Sequence, residues 1–401
     1  MLTAARTAVI SQGKLARHLS QQLPKKGALP ISNLSRNPLR RLFVDHGGTT
    51  GMINMAESKP GPNQVPSHVA KALEHCVETS PGYTPPPGDP SCLKRCVEGL
   101  KTIGIHTDVR KAHMTTGSSN GISTALQRLL YKQPRRPVFV ESLGFEPHNG
   151  MVEISGGEPR PFDPNDIATT YERVMAEKPA AIIFSSPNNP TSRVMNPKRI
   201  YQLAEICRKN DVFLIHDGTY AAHDPNFVPA TSFFDDSDQN VLGAVVSTTA
   251  AKLPTGAGHR TGVNIYSNPV VRDGVCNLIG YAAPCPSLTS QKSGAIIYEN
   301  IRILGYIARE VAHENRAKLI EIGQTKQLAF HRADTGPYSL LDTKGKPGID
   351  VHTEALQKGV LTVHMGLCNG DPNFPALRLS GGLGEAQIDR GLGILANIIN
   401  R

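Results

Sequence analysis

The sequence has no long apolar run, no cysteine pair spaced as C-x-x-C, and no acidic residue among its first 44 positions. A membrane-spanning helix needs about 20 consecutive apolar residues, whereas the longest runs here, such as residues 180–184, have the length of a buried strand. We therefore expect no membrane partner. The remaining possibility is a globular protein whose 401 residues suffice for two domains.

The seven cysteines are odd in number, and no secretory signal precedes them. Cys92 and Cys96 have the spacing of one helix face, but no His or second Cys pair accompanies them as a zinc site would require. We therefore expect free thiols in a reducing compartment, no metal site and a protein that is not secreted.

The formal charge of +9 is concentrated at the N-terminus. Residues 1–44 contain eight Lys or Arg, while the other 357 residues carry 35 basic and 34 acidic groups. Because the body is nearly neutral, we expect no nucleic-acid partner. The basic segment is interpreted as a mitochondrial transit peptide or as an arm that packs on a partner subunit, with a disordered tail as a third alternative. The expected location is the cytoplasm or the mitochondrial matrix.

Short apolar runs alternate with helical patterns between about residues 111 and 266. Residues 122–130, for example, repeat apolar side chains at the spacing of an amphipathic helix. The alternation predicts an α/β fold with a mostly parallel sheet covered by helices on both faces. Ligands of such sheets bind beyond the carboxyl ends of the strands. Asn189, Asp217 and Lys252 each follow a strand-like run, so we expect them to converge there.

The chain is predicted to contain two domains besides the basic segment. A large domain spans residues 91–290, and a smaller α/β domain combines residues 45–90 with residues 291–401. The Pro- and Gly-rich composition of residues 45–85 is typical of a segment that crosses between domains.

Four motifs occur in a fixed order between residues 186 and 380. They occupy residues 186–192 (SPNNPTS), 216–220 (HDGTY), 249–260 (TAAKLPTGAGHR) and 377–380 (LRLS). Each is weak by itself. Together they resemble the class I/II aminotransferases, the pyridoxal-phosphate enzymes of fold type I typified by aspartate aminotransferase. The resemblance runs from about residue 53 to the C-terminus and implies a large cofactor-binding domain, a smaller α/β domain and pyridoxal 5′-phosphate as cofactor.

The resemblance gives Lys252 the central role. It implies that Lys252 forms a Schiff base with the cofactor, is displaced by the amino substrate, and then moves a proton to and from the Cα carbanion, which the cofactor stabilises as a quinonoid. Small neighbouring residues leave room for a cofactor beside the amine. Thr249, Thr255, Gly256 and Thr261 depart from the common family pattern around this lysine. The alternative interpretation is a solvated loop lysine.

Other cofactor contacts follow from the same resemblance. Asp217 would pair with the ring nitrogen and raise its pKa, Asn189 and Tyr220 would bond the ring oxygen, and Arg260 with Thr249 would bind the phosphate. The alternatives are a turn aspartate for Asp217, an Asn-Pro turn for Asn189, a half-buried aromatic for Tyr220 and a surface arginine for Arg260.

A glycine-rich turn supplies a second phosphate-binding element. Gly117, Ser118 and Ser119 precede a predicted helix, whose free N–H groups and dipole favour an anion. By resemblance, Phe145 stacks on the cofactor ring, with a core phenylalanine as its alternative. Tyr83 resembles the tyrosine that the neighbouring subunit lends to the phosphate.

Substrate contacts are assigned to Arg378, Gly61 and Asn189. Arg378 matches the arginine that binds the substrate α-carboxylate; its alternative is a surface strand arginine, although Leu377 and Leu379 on either side argue against exposure. Holding the carboxylate near the cofactor plane favours proton removal from Cα over decarboxylation. Gly61 would lie over the site.

The resemblance therefore predicts an aminotransferase that takes an amino acid and a 2-oxo acid and forms a homodimer with shared active sites. The main alternative is another reaction of the same carbanion: elimination, replacement, cyclisation or an oxidase-type reaction. Residues 117–121 also form a literal G-x-S-x-G, which would make Ser119 the nucleophile of a serine hydrolase. A non-catalytic binding protein on the same fold is a further alternative.

Overall fold

The structure is a computed structural model that describes residues 38–46, 49–57, 65–76, 82–235, 243–280 and 285–401. Across these ranges, none of the helices combines the length and apolar character needed to span a bilayer. The strands are β1 Ile53–Asn54, β2 Ala112–Thr115, β3 Pro137–Glu141, β4 Glu158–Phe162, β5 Ala181–Ser185, β6 Phe213–Asp217, β7 Ala244–Thr249, β8 Gly262–Tyr266, β9 Tyr338–Asp342, β10 Val360–Leu361, β11 Val363–His364 and β12 Ala376–Ser380.

The α-helices in the same part of the chain are α1 Pro38–His46, α2 Ser67–Glu74, α3 Pro90–Lys101, α4 Ser118–Leu130, α5 Pro147–Ile154, α6 Ile167–Glu177, α7 Pro197–Lys209, α8 Pro269–Ile279, α9 Leu288–Glu299, α10 Ile301–Thr325, α11 Gly348–Gln357 and α12 Glu385–Ile399.

Seven strands form the large sheet, in the order β2-β8-β7-β6-β5-β3-β4. All neighbouring pairs are parallel except those of β8, which runs antiparallel to β2 and to β7. The predicted mostly parallel α/β sheet is thereby confirmed. In register, Ser185 lies beside Asp217 and Asp217 lies beside Ser247, so β5, β6 and β7 end at nearly the same level. The groups that follow these strands are brought to one edge.

Both faces of this sheet are covered, as its continuously apolar strands require. On one face Ile122 and Leu126 of α4 pack with Ile183 and Ile215. The opposite face packs against α6 and α7, through residues that include Leu203. Helix α7 begins as its sequence predicts, because the Asn196 side chain accepts a hydrogen bond from the Lys198 N–H and Pro197 occupies the first turn.

A smaller unit contains a three-stranded antiparallel sheet, β11-β12-β9, and the parallel pair β1-β10. Its core combines these strands with apolar side chains of α10, α11 and α12. Helix α1, which begins inside the basic N-terminal segment, packs Leu39 and Leu42 against Leu361 and Val363 of this unit. The central strand β12 carries Arg378.

The domain boundaries remain a prediction. The packing shows that residues outside the proposed large domain contribute to the core beside its sheet. Val69 of α2 and Ile297 and Tyr298 of α9 lie in the same core cluster as Met114 and Val263 of the large sheet. Residues flanking the proposed large domain on both sides thus contribute to its core.

Gly99 marks the close crossing of α3 and α9. A Cβ at this position would collide with the backbone of Tyr298, so we expect Gly99→Ala to destabilise the protein by about 1–3 kcal/mol. Gly150 in α5 is a matched control, because nothing lies within 4 Å of its Cβ position, and Gly150→Ala should stabilise the helix by up to about 1 kcal/mol. Urea unfolding of both variants measures this. Equal stability changes would contradict the close crossing.

Candidate active site

Most of the predicted cofactor residues lie around one cavity of about 140 Å³ at the carboxyl edge of the large sheet. Ten of the eleven line it: Gly117, Ser118, Ser119, Phe145, Asn189, Asp217, Tyr220, Thr249, Lys252 and Arg260. Ser185, Pro187, Thr219 and Ala251 complete the lining. The convergence expected from strand ends therefore occurs.

Lys252 lies in a single helical turn, Ala250–Lys252, directly after β7. Its Nζ is 5.7 Å from the centre of the Tyr220 ring, and its carbonyl oxygen is 3.3 Å from His223 Nε2. Within the described ranges no carboxylate forms an ion pair with the amine. The side chain is half-buried and faces the cavity, so the amine is available for reaction with a ligand there.

One end of the cavity is built to bind an anion. Helix α4 begins at Ser118, after Gly117 at φ +100°, and the first N–H groups of a helix have no acceptor within it. A Cβ at Gly117 would lie 3.1 Å from Arg260 Nη2, so glycine keeps this cradle open. The exposed Arg260 guanidinium bonds the carbonyl of Thr116 at 3.3 Å. Helix dipole and guanidinium together favour a phosphate.

Asp217 also lines the cavity and is buried. Its Oδ2 is 3.1 Å from His148 Nε2, while its Oδ1 accepts hydrogen bonds from the N–H and hydroxyl of Thr219 at 3.0 and 2.6 Å. Burial alone raises the pKa of a carboxyl, but the bonds from His148 and Thr219 outweigh it and lower the pKa of Asp217 below its ordinary value. Asp217 is therefore a buried acid held in its charged form.

His148 contacts the site although no sequence motif indicates it. It lies on α5, fully buried, and its ring makes an edge contact with Phe145 at 5.4 Å between centroids. Its Nδ1 has no partner among the described residues. The contact with Asp217 spans 69 positions, and no local pattern indicates it. His148 orients the carboxylate and keeps it charged.

Thr249 lines the cavity, but its hydroxyl is already engaged. It donates to the carbonyl of Thr261 at 3.2 Å and accepts from the Ala251 N–H at 3.1 Å. Glycine is required at position 256 for a structural reason, because a Cβ there would collide with the backbone of Ala250. These departures from the common family motif thus hold the loop after Lys252 in place.

Arg378 is buried, with 1% of its surface exposed, so the surface-arginine alternative is wrong. Its Nη1 donates to Asn189 Oδ1 and its Nη2 to the carbonyl of Ala56, both at 2.9 Å. Its Nε has no partner among the described residues. The guanidinium also lies 4.2 Å from the centre of the Tyr338 ring. Asn189 thus joins the cavity to Arg378, whose five N–H donors form only these two hydrogen bonds with the described residues.

Tyr220 is buried, with 3% of its surface exposed, and not half-buried as the alternative interpretation held. Its hydroxyl donates to the hydroxyl of Tyr338 at 3.4 Å. Tyr338 is a second residue beside the site that no sequence motif indicates. Thr219 is a third: its hydroxyl connects Asp217 to Ser118, whose Oγ lies 2.8 Å away.

Two predicted residues are not placed at the cavity. Tyr83 is fully exposed and does not line the cavity, so its role toward a neighbouring subunit remains a prediction. Gly61 lies outside the described residues. Ser119 lines the cavity, but within the described ranges no histidine bonds it as a hydrolase nucleophile requires.

The residues present fit pyridoxal phosphate. The cavity offers an anion cradle that a Cβ at Gly117 would narrow, a buried carboxylate at Asp217, and the amine of Lys252. No cluster of three His, Cys, Asp or Glu side chains suited to a metal occurs in the part of the chain that the structure describes. These side chains are suited to bind an organic phosphate that carries a basic heterocycle.

Comparison with known proteins gives one consistent family. A model of the family Aminotransferase class I and II matches residues 50–320. The chain is 23% identical to a probable aspartate aminotransferase of Methanocaldococcus jannaschii, over 91% of this chain and 98% of that protein. It is 25% identical to a putative aminotransferase of Bacillus subtilis, over 44% of this chain and 46% of that protein.

Solved structures agree in fold. A Thermus thermophilus aspartate aminotransferase double mutant superposes with a TM-score of 0.75 at 22% identity, covering 94% of this chain and 98% of that one. At this identity the likeness shows the fold, and the predicted fold type I architecture is confirmed.

A buried histidine behind the site predicts a pH-dependent stability. His216 Nε2 lies 3.0 Å from the carbonyl of Ser186, its Nδ1 accepts from the Ala230 N–H at 3.3 Å, and burial lowers the pKa of His216 to about 4. An unfolded histidine takes a proton near pH 6.5. Neutral His216 therefore contributes stability that is fully present above pH 6.5 and is lost as the pH falls toward 4. The loss in unfolding free energy is up to about 3 kcal/mol.

His216→Gln removes this titration, so its unfolding free energy should decline less steeply between pH 6.5 and 4 than that of the wild type. Other buried histidines remain, so the slope falls without vanishing. Urea unfolding at a series of pH values gives the slope. The exposed His106 provides the control, since His106→Gln should keep the wild-type slope. An unchanged slope in His216→Gln contradicts a neutral buried His216.

Proposed function

This chain belongs to the aminotransferase class I and II family, and from that premise we propose that it moves the amino group of an α-amino acid to a 2-oxo acid. Members of the family use pyridoxal 5′-phosphate, so the predicted enzyme class and cofactor are confirmed at the level of the family. The serine-hydrolase interpretation of Ser119 is thereby superseded. Substrates and residue roles belong to the proposal.

The observation that carries the proposal is the set of groups that line one cavity. The amine of Lys252, the anion cradle of Gly117 and Arg260, and the buried carboxylate of Asp217 all belong to it. Pyridoxal phosphate supplies an electron sink for charge that develops at the substrate Cα. Gly117, Ser118, Ser119 and Arg260 would hold its phosphate, with Thr249 beside them. Phe145 would cover its ring.

The remaining polar residues would tune the cofactor. Asp217, kept charged by His148 and Thr219, would hold a proton on the ring nitrogen. Asn189 and Tyr220 would bond the ring oxygen. Lys252 would form the covalent link and afterwards carry the proton to and from Cα.

Arg378 would bind the α-carboxylate of the substrate. Its guanidinium is fixed by Asn189 and Ala56, and its Nε has no protein partner in the described part of the chain. A substrate carboxylate would therefore form a charge-assisted hydrogen bond with Arg378 without breaking the bonds to Asn189 and Ala56. Gly61 keeps its proposed place over the site.

The proposal includes a homodimer with shared active sites, without nucleic-acid or membrane partners. Its support is the full exposure of the Tyr83 side chain in the single chain, which leaves this ring available to a neighbour. We also propose a location in the cytoplasm or the mitochondrial matrix, because the first 44 residues are basic and free of acids.

Incubation with a panel of amino acids and 2-oxoglutarate tests the reaction. Formation of glutamate with the matching 2-oxo acid supports amino-group transfer. Consumption of the amino acid without glutamate overturns it in favour of elimination, replacement, cyclisation or an oxidase-type reaction.

We expect Lys252→Ala to lose both turnover and the visible absorption of the cofactor-loaded protein, because no other amine replaces the covalent link. Borohydride treatment of the loaded wild type should label the peptide that contains Lys252, and circular dichroism should show that the variant keeps its fold. Lys198→Ala, at an exposed position of α7, should behave as wild type. A label on another peptide, or a wild type that takes up no cofactor, contradicts the assignment.

We expect Arg378→Ala to weaken mainly the binding of amino acids, since a charge-assisted pair with the α-carboxylate is lost. The affinity should fall roughly 10- to 100-fold. Titration of the cofactor-loaded protein with an unreactive carboxylate analogue measures it, and Arg378→Lys distinguishes loss of the fork from loss of charge. Arg390→Ala on the exposed face of α12 is the control. Wild-type affinity in Arg378→Ala refutes the role.

A further inference from the structure

Tyr338 joins two parts of the site that otherwise belong to different sheets. It opens β9 and lies opposite Ser380 of β12, two residues beyond Arg378. One face of its ring is 4.2 Å from the Arg378 guanidinium carbon. Its hydroxyl is 3.4 Å from that of Tyr220, and the two rings are almost perpendicular at 82°. Only 5% of its surface is exposed.

Charged and titratable groups approach this tyrosine pair from several elements. The first two are cations: Arg378 of β12 and Lys252 after β7. Burial by itself raises the pKa of Tyr338, but these two positive charges and the hydrogen bond from Tyr220 together outweigh it and lower the pKa below its ordinary value. The other groups are Asp217 of β6, whose charge acts on Tyr220, the His223 ring against Tyr220, and Cys368.

The two hydroxyls have only two protons to share. A tyrosine hydroxyl donates one hydrogen bond and accepts others. While Tyr220 donates to Tyr338, it has no proton for a ligand in the cavity. When Tyr220 donates into the cavity, the Tyr338 hydroxyl can turn and donate to the Tyr220 oxygen. A hydroxyl that accepts such a bond becomes a stronger donor, because linked hydrogen bonds polarise one another.

We propose that Tyr338 is a positioning residue with two separable actions: its ring supports Arg378, and its hydroxyl directs the Tyr220 proton into the cavity. The inference rests on the proposed function, because it assumes that Tyr220 faces the ring oxygen of pyridoxal phosphate. It extends that function by coupling the carboxylate-binding arginine to the cofactor-binding tyrosine through one side chain.

Tyr338→Phe removes the hydroxyl and keeps the ring. Tyr220 then stabilises negative charge on a bound oxygen less well, so the absorbing group of the loaded protein should lose its proton at a higher pH. The midpoint of the pH-dependent visible band should rise by about half a unit. Affinity for an unreactive carboxylate analogue should stay within about twofold of wild type, because the cation–π contact remains.

Tyr338→Leu removes both actions. It should raise the same midpoint and also weaken carboxylate binding by roughly fivefold, the effect of losing a buried cation–π contact. Equal carboxylate affinities in the Phe and Leu variants would show that the ring does not support Arg378, and would overturn that half of the proposal.

Two further variants separate this mechanism from a general effect of losing a buried hydroxyl. In a Tyr220→Phe background, Tyr338→Phe should produce no additional shift, because its action passes through Tyr220. Tyr266→Phe is the matched control: Tyr266 is buried and hydrogen-bonded to His113 and Asn264, and its loss should leave the midpoint unchanged.

The outcomes also distinguish the inference from the function beneath it. A wild type that takes up no pyridoxal phosphate overturns the proposed function. A wild type with a pH-dependent band whose midpoint is the same in Tyr338→Phe overturns only the role of Tyr338. A full shift in the Tyr220→Phe background likewise overturns the route through Tyr220.

Discussion

The buried guanidinium of Arg378 is the constraint on which the geometry of the site depends. A charge with 1% exposure must be compensated by hydrogen bonds. Its partners are the Asn189 side chain, which follows β5 of the large sheet, and the carbonyl of Ala56, which follows β1 of the smaller unit. Satisfying this charge therefore fixes the smaller unit against the large sheet beside Asn189, which lines the cavity, and neither sheet alone satisfies it.

The distribution of charge inside the cavity follows a similar logic. Asp217 carries the negative charge and is held in that state by His148 and Thr219. The N-terminus of α4 and Arg260 provide positive potential in the same cavity. The cavity therefore suits a ligand that carries both an anionic and a basic group, and the amine of Lys252 is among the groups that line it.

Sequence patterns predicted the groups whose positions depend on local structure. Asn189, Asp217 and Lys252 each follow a buried strand, and parallel strands that end together bring such residues to one edge. The turn at Gly117 was predictable for the same reason, since a glycine before an amphipathic helix is a local signal. His148 and Tyr338 were not predictable, because their contacts with Asp217 and Tyr220 span 69 and 118 positions. An isolated His or Tyr is more often a core residue than a site residue. The role of Tyr83 depends on a second chain, which one sequence does not place.

The atypical loop after Lys252 shows how a site can keep its geometry while its motif changes. Thr255 and Arg260 adopt left-handed conformations, at φ +59° and +53°, each of which costs roughly 1–2 kcal/mol for a residue with a side chain. These two turns reverse the chain between Lys252 and Arg260, so that the guanidinium returns to the cradle beside Gly117. The Thr249 hydroxyl donates to the Thr261 carbonyl and closes the ends of the loop. The backbone, more than the identity of each side chain, therefore sets the distance between the amine and the anion-binding arginine.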